Sequence, residues 1–157
     1  MIVADRVGFK LAWRVWIYQD DMLTSFNGTV WQPKQRMGAE CLGVRDILNQ
    51  PVHRGEPAPG LTCSCGIYAV KRALPSLSPY YGQLRPTCAV DGPTILGTVA
   101  LWGKIVIHED GYRAQFAYPW KLYTSADPKI YYPGLLKYGV PIVSLMQRNR
   151  LKGESDV

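Results

Sequence analysis

The chain has 157 residues, a formal net charge of +6, and ten Tyr and five Trp against three Phe. This length suits one domain that buries a core without disulfides, and no apolar run reaches the roughly 20 residues that cross a bilayer. The N-terminal residues are interrupted by the charges of Asp5, Arg6 and Lys10, so we do not expect a signal peptide. We expect a cytoplasmic protein with no membrane partner, in which the cysteines are thiols or metal ligands.

The first third of the chain predicts short strands joined by loops. Alternating side chains predict a strand with one buried face, formed by Phe9, Leu11, Trp13, Val15 and Ile17. Asn27-Gly28 indicates a hairpin turn between two short strands. The Gly/Pro-rich residues 32–62 predict a long loop, with a short helix near 43–49.

A second hairpin is predicted around Asp110-Gly111, because both flanks alternate. With these two residues as the turn, Ile107 pairs with Ala114. Gly103 then lies opposite Tyr118, and we expect a bend there that is covered by the tyrosine ring.

The remaining segments complete the predicted fold. The sequence "CGIYAV" at 65–70 predicts a short buried strand, residues 131–138 a short helix ended by Gly139, and "GVPIVSLM" a last strand. Residues 1–146 are therefore predicted as one mainly β (α+β) domain, a curved antiparallel sheet or small barrel with one or two short helices. Residues 147–157 form a polar tail, which we expect to be flexible.

Four candidate zinc ligands lie in or beside the long loop: Cys41, His53, Cys63 and Cys65. Zinc prefers four thiolate or imidazole ligands in a tetrahedron, and an ion would hold a loop that has little else to fix it. On a strand, however, Cys63 and Cys65 would lie about 7 Å apart, too far to share zinc unless a turn tightens them. Buried thiols without a cofactor are therefore the simpler interpretation, with structural zinc and a redox or nucleophilic cysteine as alternatives.

Gly66-Ile67-Tyr68, followed after eleven residues by Tyr80-Tyr81-Gly82, resembles the signature of GIY-YIG nucleases. In that family the motif tyrosines act at the active site, and a helical Arg and a metal-binding Glu complete it. Here Tyr81 stands where the family has Ile, and Pro86 follows Arg85, so no helix continues there. We interpret this match as coincidental.

A wider resemblance is carried by "CSCGIYA" at 63–69, "LWG" at 101–103 and "GYRA" at 111–114. Together with "GFKLAWRVW" and "KYGVPI", these segments resemble a group of small actinobacterial and phage-associated proteins over most of residues 8–143. The members are uncharacterised, so the resemblance implies a shared domain and brings no activity.

The basic charge and the Tyr/Trp content favour a non-enzymatic module that binds nucleic acid, with rings stacking on bases and cations meeting phosphates. The candidate binding residues are Trp102, Lys104, Arg113, Lys121, Arg148, Arg150 and Lys152. The first alternative is a protein-interaction factor, such as a phage-type modulator of a host complex, because aromatic and Arg-rich surfaces also form interaction hot spots. The second is an enzyme, either a GIY-YIG-like nuclease or a Cys-dependent one.

Overall fold

A computed structural model describes residues 2–41, 57–61, 63–73 and 93–144, with side chains from residue 8 onward. This part of the chain is mainly β, as predicted. Its strands are β1 Ile2–Gln19, β2 Met22–Thr24, β3 Val30–Trp31, β4 Met37–Gly38, β5 Ile67–Val70, β6 Thr94–Ile107, β7 Gly111–Thr124 and β8 Ile142–Ser144. Between β7 and β8 lie helix α1, Pro128–Tyr131, and a 3₁₀ helix, Pro133–Tyr138.

Four strands close into a ring of antiparallel pairs. β1 pairs with β6, β6 with β7, and β7 with β5, which returns to β1 through the pair Trp13 and Val70. β4 and β8 extend the β7 edge that β5 begins, and β8 lies parallel to β7. The sheet is therefore mixed, where the sequence predicted antiparallel pairing alone, because the two short helices carry the chain back before β8 starts.

The core lies inside this curved sheet. Trp16 and Trp31 meet there edge to face, with ring centroids 5.4 Å apart, and the 3₁₀ helix closes the core with Leu135 and Tyr138. The Tyr138 hydroxyl accepts a hydrogen bond from the Leu23 backbone nitrogen (2.8 Å) and donates one to the Trp31 carbonyl (2.5 Å). Since burial raises the pKa of Tyr138 to about 12, the phenol is neutral and donates this bond.

The predicted buried face of β1 is confirmed at Val15 and Ile17, which are 5% and 2% exposed, but it is wrong at Phe9 and Leu11. Ala12 and Trp16 belong to the core, whereas the side chains of Phe9 and Leu11 are 52% and 49% exposed. The cations on the inner face are accommodated by aromatic rings: the Lys10 ammonium lies 5.1 Å from the centroid of Tyr112. Contacts of this kind let charged side chains lie on the inner face.

The β6–β7 hairpin is confirmed, but its register differs by two residues from the predicted one. Ile107 pairs with Tyr112, and the turn is Glu109-Asp110, closed by a hydrogen bond from the His108 nitrogen to the Gly111 oxygen (2.9 Å). Gly111 is not part of the turn. It allows β5 to lie close to β7, because a Cβ at this position would lie 2.4 Å from the Ala69 oxygen.

The predicted bend at Gly103 is confirmed by its φ of +75° and by the irregular pairing around it. The ring over it is that of Phe116, which a Cβ on Gly103 would approach to 2.9 Å, and not that of Tyr118. Tyr118 pairs with Ala100 in the observed register.

The turns and the helical segment agree in part with the sequence. The Asn27-Gly28 loop joins antiparallel β2 and β3 as predicted, and Gly139, at a φ of 68°, ends the 3₁₀ helix. The turn at Asp20-Asp21 was not predicted from the sequence, and both of its residues have positive φ. Within the predicted loop at 32–62, the described residues are irregular apart from β4. The predicted helix at 43–49 and the tail at 147–157 lie outside the described residues.

Candidate metal centre

Three thiols meet at one end of the sheet. Cys41 follows β4, whereas Cys63 and Cys65 precede β5, and the three sulfur atoms all lie within 4.8 Å of one another. Cys41 Sγ and Cys63 Sγ are 3.4 Å apart, and the Cys63 side chain is only 6% exposed. This group of cysteines could hold a metal ion.

A sharp turn brings Cys63 and Cys65 together, so the wide spacing expected on a strand does not apply. The turn ends at Gly66, whose φ of +124° is rarely adopted by residues with a side chain. A Cβ on Gly66 would also lie 2.9 Å from the Pro59 Cβ and 3.0 Å from the Arg113 Cβ. Glycine at this position therefore permits both the turn and the close approach of the loop to β7.

The buried guanidinium of Arg113 anchors this turn from β7. Its Nη1 donates to the carbonyl oxygens of Gly60 (3.1 Å), Cys63 (2.6 Å) and Cys65 (2.7 Å). Arg113, which the sequence suggested as a nucleic-acid contact, is only 3% exposed, and its side chain is occupied in holding the thiol loop. Sequence reasoning missed this role because nothing in "GYRA" indicates which loop packs over the strand.

His108 completes the support of this guanidinium. Its Nε2 accepts a hydrogen bond from Arg113 Nε (2.9 Å), which places the imidazole proton on Nδ1. Burial, and then the neighbouring charge of Arg113, lower the pKa of His108, so the ring is neutral near pH 7. His108 acts in the structure as an acceptor that orients Arg113.

The thiols differ in their readiness to ionise. Hydrogen bonding to the Cys65 backbone lowers the pKa of Cys63, whereas burial raises the pKa of the Cys65 thiol. The sulfur of Cys65 in turn accepts a hydrogen bond from the Gly60 nitrogen at 3.3 Å. Of these two thiols, Cys63 is therefore the one that ionises more readily, and the backbone supports sulfur as an acceptor at both positions.

The donor set fits a soft or borderline metal. Zinc–thiolate bonds of about 2.3 Å in a tetrahedron place neighbouring sulfurs roughly 3.8 Å apart. The separations here, from 3.4 Å to within 4.8 Å, bracket that value, so small side-chain movements would fit the thiols around zinc. The fourth predicted ligand, His53, lies outside the described residues.

The other predicted binding residues separate into three groups. Trp102 and Lys121 lie on the side of β1, β6 and β7 that points away from the core, which we call the outer face. The Lys104 side chain is half-buried, and its backbone nitrogen bonds the Gln115 side chain at 3.1 Å. Arg148, Arg150 and Lys152 lie outside the described residues.

The outer face also carries aromatic residues that sequence reasoning did not select for binding. Phe9 and Trp120 pack together with ring centroids 4.9 Å apart, and Trp13 stacks on Tyr123 at 5.8 Å. The alternation of β1 is a real signal for this face, but it assigned Phe9 and Trp13 to the core.

The structure describes only the first half of the motif that resembles the nuclease signature. Tyr68 lies on β5, where its hydroxyl donates to the Ser64 carbonyl, and Tyr80, Tyr81 and Gly82 lie outside the described residues. From Thr94 onward the chain forms the two long strands β6 and β7.

Comparisons of this chain with models of known protein families, with curated proteins and with solved structures found no match. Among the described residues, no helix has the length and apolar character that a membrane span requires. The function must therefore be inferred from the geometry of this chain.

Proposed function

We propose that the protein is a small, non-enzymatic module that binds single-stranded nucleic acid on its outer face. The observation that carries this proposal is the pair of packed and exposed rings of Phe9 and Trp120, which are 52% and 47% accessible. Large apolar rings are normally buried, and their exposure on a sheet is typical of platforms on which unpaired bases stack.

The surroundings of this pair suit a polyanion with flat bases. A recess of about 320 Å³ is lined by Phe9, Trp102 and Trp120, and it gives a ring a place to insert. Lys121 lies on the same face, with its ammonium 5.5 Å from the centroid of Tyr123, and the whole chain carries a formal charge of +6. Cations beside stacking rings provide phosphate contacts without selecting a base sequence.

Fluorescence anisotropy with labelled single-stranded DNA and RNA tests this function. Trp120→Ala should weaken binding about tenfold, since one stacked base contributes about 1–3 kcal/mol. Tyr131→Ala is the matched control, because Tyr131 is a 64% exposed aromatic residue on α1 and not on the strands of the outer face. Equal losses in the two variants, or no binding by the wild type at low salt, would contradict the proposal.

A protein partner is the second candidate, and a different surface favours it. Ile130, Tyr131 and Leu136 are 70%, 64% and 52% exposed on the two consecutive short helices. A partner recovered after nuclease treatment, and lost with Tyr131→Ala but not with Trp120→Ala, would establish this alternative.

We further propose that Cys41, Cys63 and Cys65 bind a structural zinc ion, with His53 as the fourth ligand. The support is the convergence of three sulfur atoms, two of them on the turn that Arg113 holds in place. Elemental analysis of purified protein should find one zinc per chain, and Cys63→Ser should abolish it, whereas Ser64→Ala should retain it. Zinc-free protein whose thermal stability is unchanged by added zinc would overturn this proposal.

A further inference from the structure

A second candidate binding site, separate from the outer face, lies where the ring of strands closes between β1 and β5. β1 and β5 pair only at Trp13 and Val70, and beyond that pair the two strands diverge. A cavity of about 770 Å³ occupies this gap, between β5 and the segment that carries β2, β3 and β4. Its volume lies in the range of about 300–1,000 Å³ that small-molecule sites occupy.

The walls of this cavity are rich in rings. Phe26, Trp31, Tyr68 and Tyr112 are among the residues that line it. Tyr68 is 50% exposed, because it faces the opposite side of its short strand from the buried Ile67 and Ala69. Flat walls of this kind favour a flat ligand, which stacks on rings and loses little conformational freedom on binding.

Polar groups are distributed around the same space. Arg14 bridges the gap by donating to the Tyr68 carbonyl and to the Ser25 hydroxyl (2.8 Å). The acidic residues Glu40 and Asp110 are among the lining residues, as is Asn27. Carboxylates accept hydrogen bonds, so they complement a ring that presents amino groups on its edge.

We infer that this cavity binds a nucleobase that carries an exocyclic amino group, adenine, cytosine or guanine, in preference to uracil or thymine. The inference deepens the proposed function and rests on it, since a base from a bound strand would enter here while its neighbours stack on the outer face. A free nucleotide presents the same chemistry, and the two sources differ only in the chain attached to the base.

The cavity also borders the thiol centre. Cys65 and Gly66 contribute to its wall next to Tyr68, so the turn that Arg113 holds forms one side of the pocket. The shape of this wall therefore depends on the same hydrogen bonds that gather the thiols. Ligand binding and the order of the cysteine loop are expected to be coupled.

Isothermal titration calorimetry with AMP, CMP and UMP tests the inference on the full chain. AMP or CMP should bind at least about tenfold more tightly than UMP, which is the discrimination expected from one lost base-edge contact. Glu40→Gln retains shape and removes the charged acceptor, and it should reduce this preference. Tyr68→Leu should weaken the binding of all three nucleotides, and circular dichroism should show that the variant remains folded.

Trp120→Ala separates this inference from the proposed function. It should impair binding of a single strand and leave AMP binding unchanged, because Trp120 lies on the outer face and not in the cavity lining. Strand binding that persists in the wild type without any nucleotide binding and without base preference would overturn the cavity inference alone. Nucleotide binding without strand binding would overturn the proposed function and identify free nucleotide as the ligand.

Discussion

The guanidinium Nη1 of Arg113 lies 2.6 Å from the carbonyl oxygen of Cys63, and this hydrogen bond joins the β6–β7 hairpin to the thiol loop. The two residues are fifty positions apart in sequence, so the contact is made only once the sheet has formed. Because the same nitrogen also bonds the carbonyls of Gly60 and Cys65, one side chain fixes the backbone of the whole turn.

Arg113→Met should therefore destabilise the protein by about 3 kcal/mol, since it leaves buried carbonyl groups without their charged donor. Urea denaturation followed by tryptophan fluorescence measures this loss. Arg72→Met is the matched control, because Arg72 is an exposed arginine just after β5, and it should change stability by less than about 0.5 kcal/mol. Equal effects of the two substitutions would show that the Arg113 hydrogen bonds contribute nothing specific.

Gly66→Ala should distort the thiol turn more than its size suggests. Its φ of +124° is unfavourable for alanine, and the new methyl group would lie 2.9 Å from Pro59 Cβ and 3.0 Å from Arg113 Cβ. We expect a loss of about 2 kcal/mol in stability, together with a reduced zinc content.

Gly38→Ala provides the comparison for this glycine, since a Cβ there meets no atom within 4 Å and its φ is not in the left-handed region. Thermal denaturation and elemental analysis of both variants are the measurements. If Gly66→Ala retained wild-type stability and zinc, the close packing of the turn would have no energetic importance.

The sequence predicted those parts of the fold that local chemistry controls. Alternation located the long strands, and Gly139 marked the end of a helix because its φ of 68° suits glycine. The buried face of β1 was assigned correctly at Val15 and Ile17 but wrongly at Phe9 and Leu11, since an alternating strand with aromatic residues on both sides does not show which side the rest of the sheet covers. Phe9 lies in the irregular stretch between Arg6 and Lys10 of the β1–β6 pairing, and such an irregularity is a long-range property.

The sequence predicted the cysteine ligands of the candidate metal centre but not the residues that hold the thiol loop in place. Cys41, Cys63 and Cys65 were selected by residue type, and the structure brings all three together. The contact between Arg113 and His108 has no sequence signal, because a strand-end histidine and a basic strand residue are common on protein surfaces. Such partners become identifiable only when the register of the hairpin is known.

Tyr138→Phe should alter the response of the protein to alkaline pH. Burial raises the pKa of Tyr138 from 10.0 to about 12, so between these values the folded state holds a proton that the unfolded state has lost. The stability that this phenol contributes is therefore complete below pH 10 and disappears as the pH rises towards 12.

The measurement is the free energy of unfolding of wild type and Tyr138→Phe from pH 8 to pH 12. At pH 8 the variant should be less stable, because the Leu23 nitrogen and the Trp31 carbonyl lose their partner. The difference should shrink by about 2 kcal/mol across the alkaline range. A difference that stayed constant with pH would mean that the hydroxyl has an ordinary pKa.

Lys121→Gln should change how strongly nucleic-acid binding depends on salt. Each phosphate neutralised on a single strand contributes about 0.7 to the slope of log affinity against log salt concentration, since counterions are released on binding. Lys121 lies on the outer face beside Tyr123, so its loss should lower that slope by about this amount and weaken binding without changing base preference. Lys129→Gln, an exposed lysine on α1, should leave the slope unchanged. The slopes are measured by anisotropy titrations from roughly 50 to 300 mM salt, which spans the physiological range. Equal slopes for the two variants would contradict binding of nucleic acid on the outer face.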